Sequence, residues 1–154
     1  MTARLLDQPG PPHMTVLVLA PHPDDFDAIG VTLHQLHTQR HTLHLAVLTG
    51  GANGVDGGGS VEEKTVQRED EQRDSCRFFG LPAERCHFLR LWEDPLATAA
   101  DDTRLRTLIL GLRPALVFMP HGNDSNATHR RTCQSFCAIA ADMRLTLQAC
   151  LNQD

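Results

Sequence analysis

Apolar positions along the chain follow two rhythms. MTVLVLA (Met14–Ala20), HTLHLAVLT (His41–Thr49), CHFLRLW (Cys86–Trp92) and ALVFMP (Ala115–Pro120) are short apolar runs rich in β-branched and aromatic residues. The first is continuously apolar, as a strand buried on both faces should be. Between these runs the apolar residues fall at helical spacing. Ile29, Leu33 and Leu36 mark one helix, and Leu105, Leu108, Ile109 and Leu112 another. Ser60 and Glu63 form a capping-box pattern, and the segment they open holds no Gly or Pro until Gly80 and Pro82, so a helix is expected to about Phe79. Thr128 to Leu151 also lacks Gly and Pro, and the spacing predicts one long last helix there.

The resulting order is β-α-β-α-β-α-β-α. Such alternation predicts an α/β fold: a doubly wound, Rossmann-like three-layer sandwich around a mainly parallel sheet, strand order near 3-2-1-4. No fifth strand is expected after the last helix, which makes the C-terminal part short or truncated. That would leave an unpaired sheet edge and favour a homo-oligomer. Residues 1–13, with their Pro-Gly-Pro-Pro cluster, read as an irregular N-terminal arm before one domain over 14–154.

Composition narrows the classes. A net charge of −5 disfavours a non-specific nucleic-acid binder and offers no attraction to an acidic membrane surface. No apolar run approaches a membrane span, and the N-terminus has no signal-peptide core. Five cysteines form no CxxC pair, and their odd number favours reduced thiols and a cytoplasmic setting. Cys133 and Cys137, one helical turn apart, read as small buried residues rather than a metal or redox pair.

In an open parallel sheet, chemistry collects at the carboxyl ends of the strands where the strand order reverses. PHPDDFD follows the first strand and PHGNDSNATH (Pro120–His129) the fourth, and a 3-2-1-4 order makes the two loops neighbours. His22 and Asp25 can turn onto one cation, and His129 can supply a third ligand. Two imidazoles and one carboxylate with an open position is the pattern of catalytic zinc. Asp24 would be left beside the metal without binding it, which suits a general base. The plainer readings are a solvated turn with Asp25 or Asp27 capping the next helix, and a surface His129. A magnesium phosphoryl-transfer site on Asp24, Asp25 and Asp27 would leave both histidines unused. GGANGVDGGGS (Gly50–Ser60) lacks the spacing of a phosphate-binding loop and reads as a flexible one. A further metal site from His34, His37, His41 and His44 is conceivable, although an exposed helix face is the simpler reading of His34 and His37.

VLAPHPDD after a buried strand resembles the signature of the PIG-L/LmbE-like zinc-dependent de-N-acetylases. REDE (Arg68–Glu71) shortly before FFGLP, and LRPALVFMPHGND, are similar to further stretches of that family, and the likeness spans about Met14 to Ala141. The resemblance implies zinc held by His22, Asp25 and His129, with Asp24 accepting a proton from water. An N-acetyl group would be hydrolysed from an acetamido sugar of the N-acetylglucosamine kind, releasing acetate. It further implies that Arg68 and Asp94 meet the substrate; an intrahelical pair of Arg68 with Glu71 or Asp74 is the alternative. Three positions depart from the family's pattern. Phe26 stands where Glu is frequent, Ala52 where an acidic residue is, and Asn126 where a catalytic histidine is. Asn126 would then donate a hydrogen bond near the reacting carbonyl, with His121 as a neighbouring candidate. A non-catalytic zinc- or sugar-binding relative is the rival reading.

Overall fold

The computed structural model describes residues 13–92, 98–142 and 148–151, so the expected N-terminal arm lies almost wholly outside the described residues. The strands are β1 (Thr15–Ala20), β2 (Thr42–Val47), β3 (Cys86–Phe88), β4 (Leu116–Met119) and β5 (Gln148–Leu151). The helices are α1 (Gly30–Thr38), α2 (Val61–Phe79), α3 (Thr98–Leu112) and α4 (Ala127–Asp142). The sheet order is β3-β2-β1-β4-β5, and every pairing is parallel.

The two faces of β1 explain its continuous apolar run. Val16, Val18 and Ala20 pack with Leu33 and Leu36 of α1 and Cys76 of α2. Leu17 and Leu19 face the other way and pack with Leu105 and Ile109 of α3 and Phe136 and Ile139 of α4. Alternate side chains thus enter two separate cores, one on each side of a fully covered sheet. Helix α2 begins with the expected capping box, Ser60 and Glu63 each bonding the other's backbone N–H, and ends at Gly80 with φ 87°.

Two expectations are corrected. The last helix stops at Asp142, and β5 pairs in parallel with β4 from Leu116↔Gln148 to Met119↔Leu151. A stretch free of Gly and Pro permits a helix without requiring one. Here the open edge of β4 supplies partners for four residues too short to announce themselves as a strand. The edge from which a homo-oligomer was inferred is therefore occupied, and that ground for association falls away. The second correction shortens β3 to Cys86–Phe88. Leu89 and Leu91 still donate to Val47 and Leu48, but positive φ at Arg90 (47°) and Trp92 (61°) takes the chain out of the ladder. No helix among the described residues is long and apolar enough to cross a membrane.

Candidate metal centre

The turn after β1 is fixed from three sides. The Thr49 N–H and hydroxyl, beyond the end of β2, both donate to the Pro21 carbonyl, at 3.0 and 2.8 Å. Within the turn, Asp25 Oδ2 accepts the His22 N–H at 2.8 Å. From α2, Gln72 Oε1 accepts the Asp24 N–H at 2.9 Å, while Arg68 Nη2 donates to the Pro23 carbonyl at 2.7 Å and to Asp24 Oδ2 at 2.8 Å. Asp24 has φ 99°, a conformation costly for a residue with a Cβ. Buried Gln72 and half-buried Arg68 hold it there.

Neither Asp25 nor Asp27 caps α1. The Asp27 carboxylate instead accepts the Ser75 hydroxyl. Phe26 is buried and meets Phe79 edge-on, with ring centroids 5.3 Å apart, so the first departure from the family pattern is a core residue.

Asp25 stands between the two expected histidines. His22 Nδ1 lies 3.4 Å from Asp25 Oδ2, and His129 Nε2 lies 3.4 Å from Asp25 Oδ1. One ligand atom from each of the three lies within 4.8 Å of the others, and among the described residues no other group of three does so. Zinc bonds of about 2.0–2.1 Å in a tetrahedron set neighbouring donors about 3.4 Å apart. The three side chains fit zinc in donor type, and their ligand atoms, within 4.8 Å of one another, are close enough to meet on one ion. Asp24, Asp25 and Asp27, the oxygen set of the magnesium alternative, do not form such a group. His34 and His37 instead pack against Phe79, and His44 stacks on His87.

Asp124, which the sequence reading did not single out, sets the state of His129. Its Oδ2 lies 3.0 Å from His129 Nδ1, and its Oδ1 accepts the Asn126 N–H at 2.7 Å. A proton on Nδ1 leaves Nε2 with its lone pair directed to Asp25, the arrangement that a histidine ligand needs. The Asn126 N–H is the largest influence on the Asp124 carboxyl, which lies below its ordinary pKa. Partial burial opposes the shift, and His129 and Arg130 reinforce it. The signal available in the sequence was an Asp five residues before a histidine, a spacing without meaning until the loop folds back.

Asn126 begins α4. Its Oδ1 accepts the Thr128 N–H at 2.8 Å, so its amide nitrogen is the group left for other partners. His22, Asp24, Arg68 and Asn126 line one cleft of about 610 Å³, together with Gly51, Leu91 and Trp92. The volume lies in the range of small-molecule sites. Gly51 has φ 65°, and a Cβ there would sit 2.7 Å from Pro23 Cδ, so only glycine lets the loop after β2 close on the turn. Arg68 also pairs with Glu71 at 3.1 Å, the intrahelical partner weighed in the sequence, while it lines the cleft. Burial opposes its charge most, yet hydrogen bonds and charge from Asp24 and Glu71 prevail and raise its pKa. Its Nε is buried without a hydrogen-bond partner. His121 is absent from the cleft lining, and its Nδ1 accepts the Asn123 N–H at 3.1 Å. Asp94 lies outside the described residues.

Residues 17–140 match the family described as PIG-L, GlcNAc-PI de-N-acetylase. The chain belongs to the PIG-L family. Solved structures share the fold. The conserved protein TT1542 from Thermus thermophilus is 25% identical with a TM-score of 0.65, over 92% of this chain and 61% of its own. An N,N'-diacetylchitobiose deacetylase from Pyrococcus horikoshii is 24% identical with a TM-score of 0.73, over 86% and 51%. The zinc-inhibited form of the teicoplanin deacetylase Orf2 is 12% identical with a TM-score of 0.69, over 85% and 65%. This PIG-L family chain thus spans between half and two thirds of these structures. No curated protein sequence matches it.

Proposed function

We propose that the chain is a zinc-dependent N-deacetylase that hydrolyses an acetamido sugar or sugar conjugate and releases acetate. The observation that carries the proposal is the group His22, Asp25 and His129, with Asp124 holding His129 in the ligand tautomer. Zinc held by these three would polarise the acetamide carbonyl and make water a better nucleophile at neutral pH.

The chain's own residues supply the rest. Asp24 is next to the ligand set, lines the cleft and keeps its side chain 65% exposed, so it can accept a proton from the attacking water. As the carbon–nitrogen bond breaks, Asp24 returns that proton to the departing amine. The Asn126 amide nitrogen faces no capping duty and donates to the carbonyl oxygen as charge develops on it. Arg68 holds Asp24 in place and lines the cleft where a sugar would sit; Asp94 is a further candidate for the substrate. The family match and the volume of the cleft favour a small acetamido sugar of the N-acetylglucosamine kind. A cytoplasmic setting accords with the free thiols of Cys76, Cys86, Cys133 and Cys137.

One observation favours the rival, a zinc- or sugar-binding protein without turnover. Asp24 Oδ2 is already engaged by Arg68 at 2.8 Å, which leaves only its other oxygen for water. The two readings separate on one experiment. Purified protein is assayed for zinc and for acetate released from a panel of acetamido sugars, beside Asp24→Asn. Zinc retention with a rate loss of roughly two to four orders of magnitude supports general-base catalysis. Equal turnover in the zinc-loaded variant refutes that role, and zinc without turnover in either protein leaves the binding reading.

A further inference from the structure

Among the residues that line the cleft beside the metal centre is Trp92, the single tryptophan of the chain. Trp92 follows β3 and the metal turn follows β1, with β2 between them in the sheet. Residues 50–54, after β2, line the same cleft. One continuous wall thus runs along the carboxyl ends of three strands, with the ligand His22 at one end and the indole at the other.

Trp92 is held by its backbone and by its ring. Its N–H donates at 2.7 Å to Oδ2 of Asp101, a buried carboxylate of α3. The Arg131 guanidinium of α4 lies over the indole, 4.6 Å from the ring centroid, as a cation–π contact. Arg131 is absent from the cleft lining, so the cleft meets ring surface that Arg131 leaves uncovered. The indole Nε1 is buried without a hydrogen-bond partner. Trp92 therefore presents ring carbon to the cleft rather than its N–H.

The charges of the lining are already matched. Asp24 and Arg68 pair with each other at 2.8 Å, and Arg68 pairs again with Glu71 at 3.1 Å. No other lysine or arginine lines the cleft among the described residues, and the sequence runs on from Trp92 into Glu93 and Asp94. A phosphate or carboxylate substituent meets no unpaired cation there beyond the metal site itself. Thr49, Asn53 and Thr128 add two hydroxyls and an amide. Such a lining matches a neutral pyranose, which carries C–H groups on its faces and hydroxyls around its rim. The C–H face packs on the electron-rich indole, and the rim hydroxyls bond the neutral polar groups.

We propose that Trp92 is a stacking platform that selects a neutral acetamido pyranose over its phosphorylated or carboxylated counterparts. The sugar lays a C–H face on the indole and extends its acetamido arm toward the metal turn. The inference rests on the acetamido-sugar reading proposed above and adds to it the residue and the charge class that set selectivity. Trp92 supplies affinity and orientation and takes no part in proton transfer. Because the ring carbon makes the contact, phenylalanine can replace it and alanine cannot.

The zinc-loaded protein is titrated with N-acetylglucosamine and, separately, with N-acetylglucosamine 6-phosphate, by calorimetry and by tryptophan emission read within seconds of mixing. With one tryptophan in the chain, all indole emission comes from the cleft. The neutral sugar should change the emission saturably and protect it from acrylamide quenching, and the 6-phosphate should bind at least about tenfold more weakly. Trp92→Phe should keep the affinity within about threefold, whereas Trp92→Ala should lose about tenfold. Absence of neutral-sugar binding, or calorimetric binding that leaves wild-type emission and quenching unchanged, would overturn the platform, and neither result depends on a variant folding. Undiminished affinity in Trp92→Ala would also overturn it, as would a loss in Trp92→Phe equal to that in Trp92→Ala. Equal or tighter binding of the 6-phosphate would overturn the selection for a neutral sugar. Acetate release is measured apart. A sugar seated on Trp92 without acetate release sinks the hydrolase reading alone, and acetate release from a sugar that leaves Trp92 emission unchanged sinks the platform alone.

Discussion

Asp124→Asn tests how His129 is prepared for metal. The wild-type carboxylate accepts two hydrogen bonds, Oδ1 from the Asn126 N–H at 2.7 Å and Oδ2 from His129 Nδ1 at 3.0 Å. An asparagine has one acceptor oxygen. The Asn126 N–H has no alternative tautomer, so it keeps that oxygen and turns the amide NH₂ toward His129. Nδ1 must then accept, and the ring proton moves to Nε2, the atom 3.4 Å from Asp25. A protonated Nε2 cannot ligate a metal. Recovering the ligand tautomer costs the hydrogen bond and leaves two donors facing each other. Loss of such an outer partner weakens metal affinity by about 10–100-fold, or roughly 1.4–2.7 kcal/mol. The assay is zinc affinity by chelator competition at fixed pH, with thermal unfolding of the metal-free protein as the control for folding. The loop bond to Asn126 survives in the variant, so the metal-free stability should change little. Wild-type zinc affinity in Asp124→Asn would refute the tautomer argument.

Three other outcomes follow from the same geometry. Asn126→Ala removes the cap of α4 as well as the amide donor; it should cost about 0.5–2 kcal/mol of stability in urea unfolding and lower turnover, whereas Asn126→Asp should restore the stability alone. Gly51→Ala meets both the φ of 65° and the contact of 2.7 Å with Pro23, and a loss of roughly 2–4 kcal/mol is expected; an unchanged urea midpoint would show that the loop approaches the turn less closely. His44 and His87 stand 3.2 Å apart, and burial lowers the pKa of each, with the neighbouring charges of His87 and Arg85 adding at His44. Both bind protons more readily when unfolded, so stability should rise with pH through the window below the ordinary histidine pKa of about 6.5. His44→Gln should flatten that rise, and an unaltered pH–stability profile in the variant would count against the pair.

What the sequence determined by itself is local. The apolar run Val16–Ala20 could only be a strand covered on both faces, and Ser60, Glu63 and Gly80 fixed both ends of α2, because capping and burial patterns are written in neighbouring residues. His22 and Asp25 were legible as a pair for the same reason, since one short turn carries both, and His129 followed once the alternation of elements placed its loop across the sheet. Other features depended on partners far along the chain. β5 exists because β4 offers an edge, and no feature of Gln148–Leu151 alone requires a strand. Asp124 matters because its loop folds back onto His129. The strained Asp24 is held by Arg68 and Gln72, more than forty positions away. Hydrogen bonds to a buried carboxamide or a guanidinium depend on where a distant helix lands, and only the packed α/β layers decide that.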